Sequence, residues 1–97
     1  MLNSKQRAKL RSIASTISAT TIMGKDGLTD TVLAQIDREL TARELVKVSV
    51  LETAEASARD YLIEASEKLN AEQVCFIGKK FVLYRRSNKQ GIKHIEF

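Results

Sequence analysis

Apolar positions change their period several times along the chain, and each change marks an element. Leu10, Ile13, Ala14 and Ile17 recur at helical spacing, which predicts a first helix from about Ser4 to Ser18 with Ser4 as its N-cap. That stripe is read as core. Lys5 and Lys9 flank one side of it and Arg7 and Arg11 the other, able to lay their stems on the core and turn their charges outward. A short run, Thr20 to Met23, predicts a strand that ends at Gly24. A second helix is predicted from about Thr29 to Arg43, with Leu28, Val32, Leu33, Ile36 and Leu40 inward. Asp37, Arg38, Glu39, Arg43 and Glu44 read as its wet side.

The period then drops to two. Over Leu45 to Leu51, Val46, Val48 and Val50 share one face, and Lys47 and Ser49 share the other, which predicts a strand with one buried face. A third helix follows from about Ala56 to Leu69, burying Ala58, Leu62, Ala65 and Leu69. Gln73 to Ile77 and Lys80 to Arg85 read as a hairpin around Gly78-Lys79, a turn that wants glycine first. This register pairs Phe76 with Phe81 and Val74 with Leu83 on a core face. On the other face it pairs Gln73 with Tyr84 and Ile77 with Lys80, with Arg86 alongside and Tyr84 a candidate for stacking. Ser87 to Phe97 is polar and basic and reads as a tail or a loosely packed extension.

The expected order is therefore αβαβαββ, an α/β fold. Helical crossovers favour parallel neighbours and the hairpin adds an antiparallel pair, so a mixed four-stranded sheet in two layers is expected. One domain over residues 1–97 is expected, with about 88–97 a basic tail.

Composition narrows the function classes. No run approaches the roughly 20 apolar residues of a membrane span, so no membrane partner is expected. The segment from Met1 to Arg11 lacks the apolar stretch of a secretory signal, and the lone Cys75 excludes an internal disulfide, which together suit the cytoplasm. The net charge of +4 hides a pattern. Residues 1–25 are basic without any acidic side chain, residues 26–72 are predominantly acidic, and residues 73–97 are basic again. Two basic ends around an acidic middle point to a polyanionic partner if the ends meet in the fold.

Catalytic signatures are missing. His94 has no carboxylate or cysteine close in sequence, Cys75 falls in a predicted strand, and no phosphate-binding P-loop, zinc-binding His pair or nucleophile elbow occurs. No catalytic residue, metal ligand or cofactor is assigned. The remaining motif is Gly24-Lys25-Asp26-Gly27, placed between a strand and a helix. Glycines admit close approach of another backbone, and amides at a helix N-terminus suit a phosphate. A Gly-x-x-Gly loop so placed is how KH-type modules clamp single-stranded RNA.

Four stretches, Leu2 to Leu10 (LNSKQRAKL), Ile22 to Ile36 (IMGKDGLTDTVLAQI), Glu44 to Val50 (ELVKVSV) and Phe76 to Arg85 (FIGKKFVLYR), carry a resemblance that spans nearly the whole chain. In their order the chain resembles the bacterial YhbY type of the CRM domain, the chloroplast RNA splicing and ribosome maturation domain. The resemblance implies a fold similar to the C-terminal domain of translation initiation factor three. It also implies a non-enzymatic protein that binds ribosomal RNA of the pre-large (50S) subunit and assists assembly of that particle. By the family's pattern, Gly24, Lys25, Asp26 and Gly27 form the RNA contact. Lys5, Arg7, Lys9, Arg11, Lys79, Lys80, Arg85 and Arg86 would supply phosphate contacts around it. Asp26 departs from that pattern by placing a carboxylate in the loop. The alternative from a different class is a protein-interaction module whose acidic helices dock a ribosomal protein or assembly factor.

Overall fold

The computed structural model describes residues 2–96; Met1 and Phe97, the outer ends of the expected N-terminal segment and tail, lie outside the described residues. The elements are α1 (Ser4–Ala14), β1 (Thr21–Met23), α2 (Asp30–Arg43), β2 (Leu45–Val50), α3 (Ala58–Leu69), β3 (Glu72–Ile77) and β4 (Lys80–Tyr84). This is the expected αβαβαββ order, and the strands form one mixed sheet in the order β1-β2-β4-β3. β1 and β2 run parallel, whereas β4 is antiparallel to both β2 and β3.

Short polar side chains fix the helix ends. Asn3, not Ser4, caps α1: its side chain accepts from the Gln6 N–H at 2.8 Å, and the Gln6 side chain accepts from the Asn3 N–H at 3.1 Å. Gln6 stands three residues after Asn3, so this reciprocal box satisfies two first-turn donors at once, which Ser4 has no equivalent way to do. Thr29 and Ser57 cap α2 and α3 by accepting from Val32 N–H and Asp60 N–H, each at 3.2 Å. Ser57 thus starts α3 two residues later than the apolar pattern suggests.

α1 ends at Ala14, a turn earlier than expected. The Ser15 and Thr16 hydroxyls bond back to the carbonyls of Ser12 and Ile13, at 2.6 and 2.8 Å, and give the backbone a local alternative to the helix. Ile17 therefore leaves the expected core stripe and is 37% exposed.

The sheet is covered on both faces, a fuller layering than two. Val46, Val48, Val50, Phe81 and Leu83 pack beneath α2 and α3, against Ile36, Leu40, Leu62 and Ala65. Leu45, Val74, Val82 and Tyr84 point the other way and are closed over by Leu2, Leu10 and Ala14 of the α1 segment. Tyr84 is consequently buried in that second cluster and presents no stacking surface.

The hairpin register holds near its turn and slips beyond it. Phe76 opposes Phe81 and Ile77 opposes Lys80, but a bulge between Gln73 and Cys75 puts Gln73, rather than Val74, opposite Leu83, and Glu72 opposite Tyr84. The extra residue lets Val74 turn into the α1-side cluster. Phe76 keeps the expected partner yet is 48% exposed. The reason is the path of α3. It crosses the sheet obliquely, from Tyr61 against Gly27 to Ser66 beside Gln73 and Leu69 beside Arg85, and leaves the turn end of β3 uncovered.

Two expectations at the C-terminal end are overturned together. Glu44, read as part of the wet side of α2, has no exposed surface. It ends α2 in the left-handed conformation, φ 68°, which disfavours a residue with a Cβ by about 1–2 kcal/mol. Its carboxylate accepts from Ser87 N–H at 2.7 Å, from Ile95 N–H at 2.8 Å and from His94 Nδ1 at 2.6 Å. The segment after Ser87 is therefore a docked strap and not a loose tail. Ser87 is buried, with its hydroxyl donating to the Thr41 carbonyl, and Ile95 packs on the α1-side cluster.

Candidate nucleic-acid interface

Three connections meet at one end of the sheet. The segment after β1 carries the glycines, the segment after β2 leads to α3, and Gly78-Lys79 turns β3 into β4. They are tied by Leu51 N–H donating to Met23 O at 2.8 Å and Val50 N–H donating to Lys79 O at 2.7 Å. Within the glycine segment, Gly27 N–H donates to Gly24 O at 2.9 Å and closes a β-turn with Lys25 and Asp26 at its exposed tip.

Gly27 is favoured by its backbone conformation and Gly24 by the tight space beneath it. Gly27 has φ 68°, and a Cβ there would stand 3.4 Å from the Tyr61 ring. A Cβ on Gly24 would meet Thr53 Oγ1 at 3.2 Å and Leu51 Cδ1 at 3.3 Å. The turn thus sits directly on the segment after β2 and on the first turn of α3. Tyr61 is held from below, since its hydroxyl accepts from Ala56 N–H at 3.2 Å.

The start of α2 contributes less positive character than the sequence suggests. The helix begins at Asp30, and Thr29 N–H first donates back to Gly27 O at 3.0 Å. The Thr29 hydroxyl then takes one first-turn amide, and the Asp30 carboxylate sits where the macrodipole attracts an anion. The attraction for a phosphate at this end falls mainly to lysines.

The structure sorts the named cations into two groups. Lys25, Lys79 and Lys80 stand with Gly24, Asp26 and Gly27 at the turn end, all three lysines exposed and Lys79 bonded to Glu52 at 2.8 Å. Arg85 and Arg86 follow β4 at the opposite end, about 17 Å from Lys80 at the rise of a strand. Lys5 and Arg7 belong to that far end as well, where Leu2 N–H donates to Glu72 and Arg7 Nε to Gln73 O. Lys9 is exposed on α1. Arg11 reaches further along α1, close enough to Cys75 for its charge to act on the thiol.

Arg85 is a clamp between elements. Its guanidinium pairs with Asp37 at 2.9 Å and donates to Leu69 O at 2.9 Å and Thr41 Oγ1 at 3.1 Å, joining α2 and α3 to the end of β4. A lysine cannot reproduce that fork. Arg85→Lys is expected to lower stability by about 1.5–3 kcal/mol, the range for hydrogen bonds to a charged group, in a urea titration. An unchanged midpoint would show that the clamp carries no stability.

Lys47 is also structural. Its Nζ donates to Ala14 O at 3.2 Å and Ile17 O at 3.1 Å and so caps the end of α1.

Cys75 and His94 each have a structural setting of their own. Burial pushes the Cys75 thiol above its ordinary pKa, against the opposing influence of Arg11 and Lys47, so it stays protonated near neutral pH. His94 has found a carboxylate, but it is the buried Glu44 at the end of α2, which holds the strap. The nearby Ser87 hydroxyl donates to Thr41 O and accepts from Lys89 N–H at 3.1 Å, so it is not aimed at the imidazole. Among the described residues, no cluster of His, Cys, Asp or Glu has the makings of a metal site, and no helix is long and apolar enough to cross a membrane.

Comparison with known proteins gives one consistent answer. The chain is 39% identical over 92 residues to the probable RNA-binding protein YqeI of Bacillus subtilis, covering 93% of this chain and 96% of the relative. It is 36% identical over 93 residues to an RNA-binding protein of Haemophilus influenzae, covering 95% and 93% of the two chains. The solution structure of the protein SAV1595 from Staphylococcus aureus superposes with a TM-score of 0.79 at 37% identity, covering 93% of this chain and 94% of that one. The CRS1/YhbY (CRM) domain pattern matches residues 2–85, which takes in every strand and helix described above and stops short of the strap. On the strength of that match and of these relatives, the chain belongs to the CRS1/YhbY (CRM) domain family.

Proposed function

We propose that the protein is a non-enzymatic, cytoplasmic RNA-binding protein that associates with ribosomal RNA of the pre-large (50S) subunit and assists assembly of that particle. The observation that carries this reading is the meeting of the Gly24–Gly27 turn with Lys25, Lys79 and Lys80 at one end of the sheet. A close-approach backbone and exposed cations are what a sugar–phosphate chain requires. RNA-binding relatives at 36–39% identity over nearly the full chain support the same class.

The acidic face offers less to a basic protein partner. Of the five acidic residues that would form it, Asp37 is engaged by Arg85, Glu64 by Lys68 at 3.0 Å and Glu39 by the Thr20 hydroxyl, which leaves the exposed Asp60 and Glu67. Tagged protein is expected to co-sediment with precursors of the large subunit on a sucrose gradient and to leave them after ribonuclease treatment. Retention after nuclease would favour docking on a protein, and sedimentation with free protein alone would contradict both readings.

A further inference from the structure

One row of side chains crosses all four strands at the turn end, on the face opposite α2 and α3. Ile22 of β1 is aligned with Ser49 of β2, Ser49 with Lys80 of β4, and Lys80 with Ile77 of β3. At the usual strand spacing the row spans about 14 Å. Ile22 is 62% exposed and Ile77 67%. Leu51, which follows β2 and lies under Gly24, adds a third apolar side chain and is 49% exposed.

The early end of α1 opens this surface. Had the helix run on to Ser18, it would have continued over the sheet, but the Ser15 and Thr16 back-bonds stop it and Lys47 ties its end down. Behind the row lies a hollow of about 380 Å³, floored by Cys75 and Val82 and rimmed by Lys79 and Lys80.

We propose that this open row is the base-contacting platform of a single-stranded RNA segment whose phosphates lie along the Gly24–Gly27 turn. The inference rests on the RNA-binding reading and adds which face the bases meet and in what strandedness. The row is apolar at both ends with an ammonium in the middle, and it continues into the glycine turn through Leu51. Unstacked bases offer flat apolar faces carried on a polyanionic backbone, so the complementarity is of both shape and charge. A duplex hides those faces and is disfavoured.

The chain contains no tryptophan, so one introduced residue reports alone. Ile77→Trp would be titrated with a ten-nucleotide oligouridylate and with a duplex of equal length, and Phe76→Trp, on the opposite face of β3, would serve as control. Binding would be followed independently by anisotropy of labelled RNA. Strong quenching of Ile77→Trp is expected with the single strand, little with the duplex, and little for Phe76→Trp with either. The paired change Ile22→Ser with Ile77→Ser is expected to weaken single-strand binding roughly threefold to tenfold with an unchanged salt slope, at or below the loss seen on aromatic platforms. Binding by anisotropy without quenching, equal quenching at both positions, or an unaffected serine pair overturns the platform while leaving RNA binding in place. A wild type that leaves the anisotropy of every RNA unchanged overturns the RNA-binding reading itself.

Discussion

Glu44→Ala is expected to lower stability by about 2–4 kcal/mol and to release the strap from Ser87 to Ile95. The buried carboxylate is the acceptor for two backbone N–H groups, those of Ser87 and Ile95. A buried donor left without its acceptor costs about 1–3 kcal/mol. Shortening the side chain strands both donors, and the His94 contact goes with them. An apolar residue of similar volume would not help, because the donors are main-chain groups that no side-chain replacement removes. Glu44→Gly relieves the left-handed strain at φ 68° but still loses the acceptor.

Acid should act as the mutation does. Burial pushes the Glu44 carboxyl up, but hydrogen bonds from Ser87, His94 and Ile95 outweigh it and hold the pKa below the ordinary carboxylate value. A depressed carboxylate contributes stability above its unfolded pKa and loses it as pH falls through the folded one. The strap should therefore hold at neutral pH and loosen only in acid below the ordinary carboxylate range. Amide hydrogen exchange at Ser87 and Ile95 reads both effects. If Glu44→Ala keeps those amides protected and the denaturation midpoint in place, the strap is held by something other than this carboxylate.

Reversing Lys25 and Lys80 together to glutamate is expected to reduce RNA affinity by at least about tenfold at low salt, with the fold intact. Both side chains are exposed, and surface changes away from buried networks usually alter stability by about 0.5 kcal/mol or less. Gly27→Asp is a less clean probe. A side chain there adopts a left-handed φ and stands against Tyr61, so loss of binding and disturbance of α3 would arrive together. Reversal of Lys5 and Arg86, at the far end of the sheet, is the matched control and should leave affinity nearly unchanged. Equal losses from the two pairs would spread the RNA contact over the whole basic surface.

Much of this arrangement is legible in the sequence because period and chemistry agree there. The alternation of Val46, Val48 and Val50 and the glycine-first turn at Gly78 each determine a local geometry that tertiary packing then keeps. What escapes is decided by contacts distant in sequence. Nothing near Glu44 announces that residues 87–95 return to it, since a glutamate after a helix reads as solvated unless its donors are known. Arg85 looks like any other basic residue of the C-terminal end until Asp37 and Leu69 come beside it. The Val74 bulge and the early end of α1 depend on small competitions between hydrogen bonds that hydrophobic spacing does not register. The same spacing cannot tell a stripe that is covered from one left open, as Ile22 and Ile77 are.

The most direct test is the salt dependence of binding to single-stranded ribosomal RNA fragments, with wild type, the Lys25 and Lys80 reversal and the Lys5 and Arg86 reversal measured together. Each single-strand phosphate neutralised contributes about 0.7 to the slope of log affinity against log salt. The expected result is a steep wild-type slope that falls by about 1.4 in the turn-end variant and stays unchanged in the far-end variant. A slope insensitive to Lys25 and Lys80 would contradict the placement of the RNA at the glycine turn.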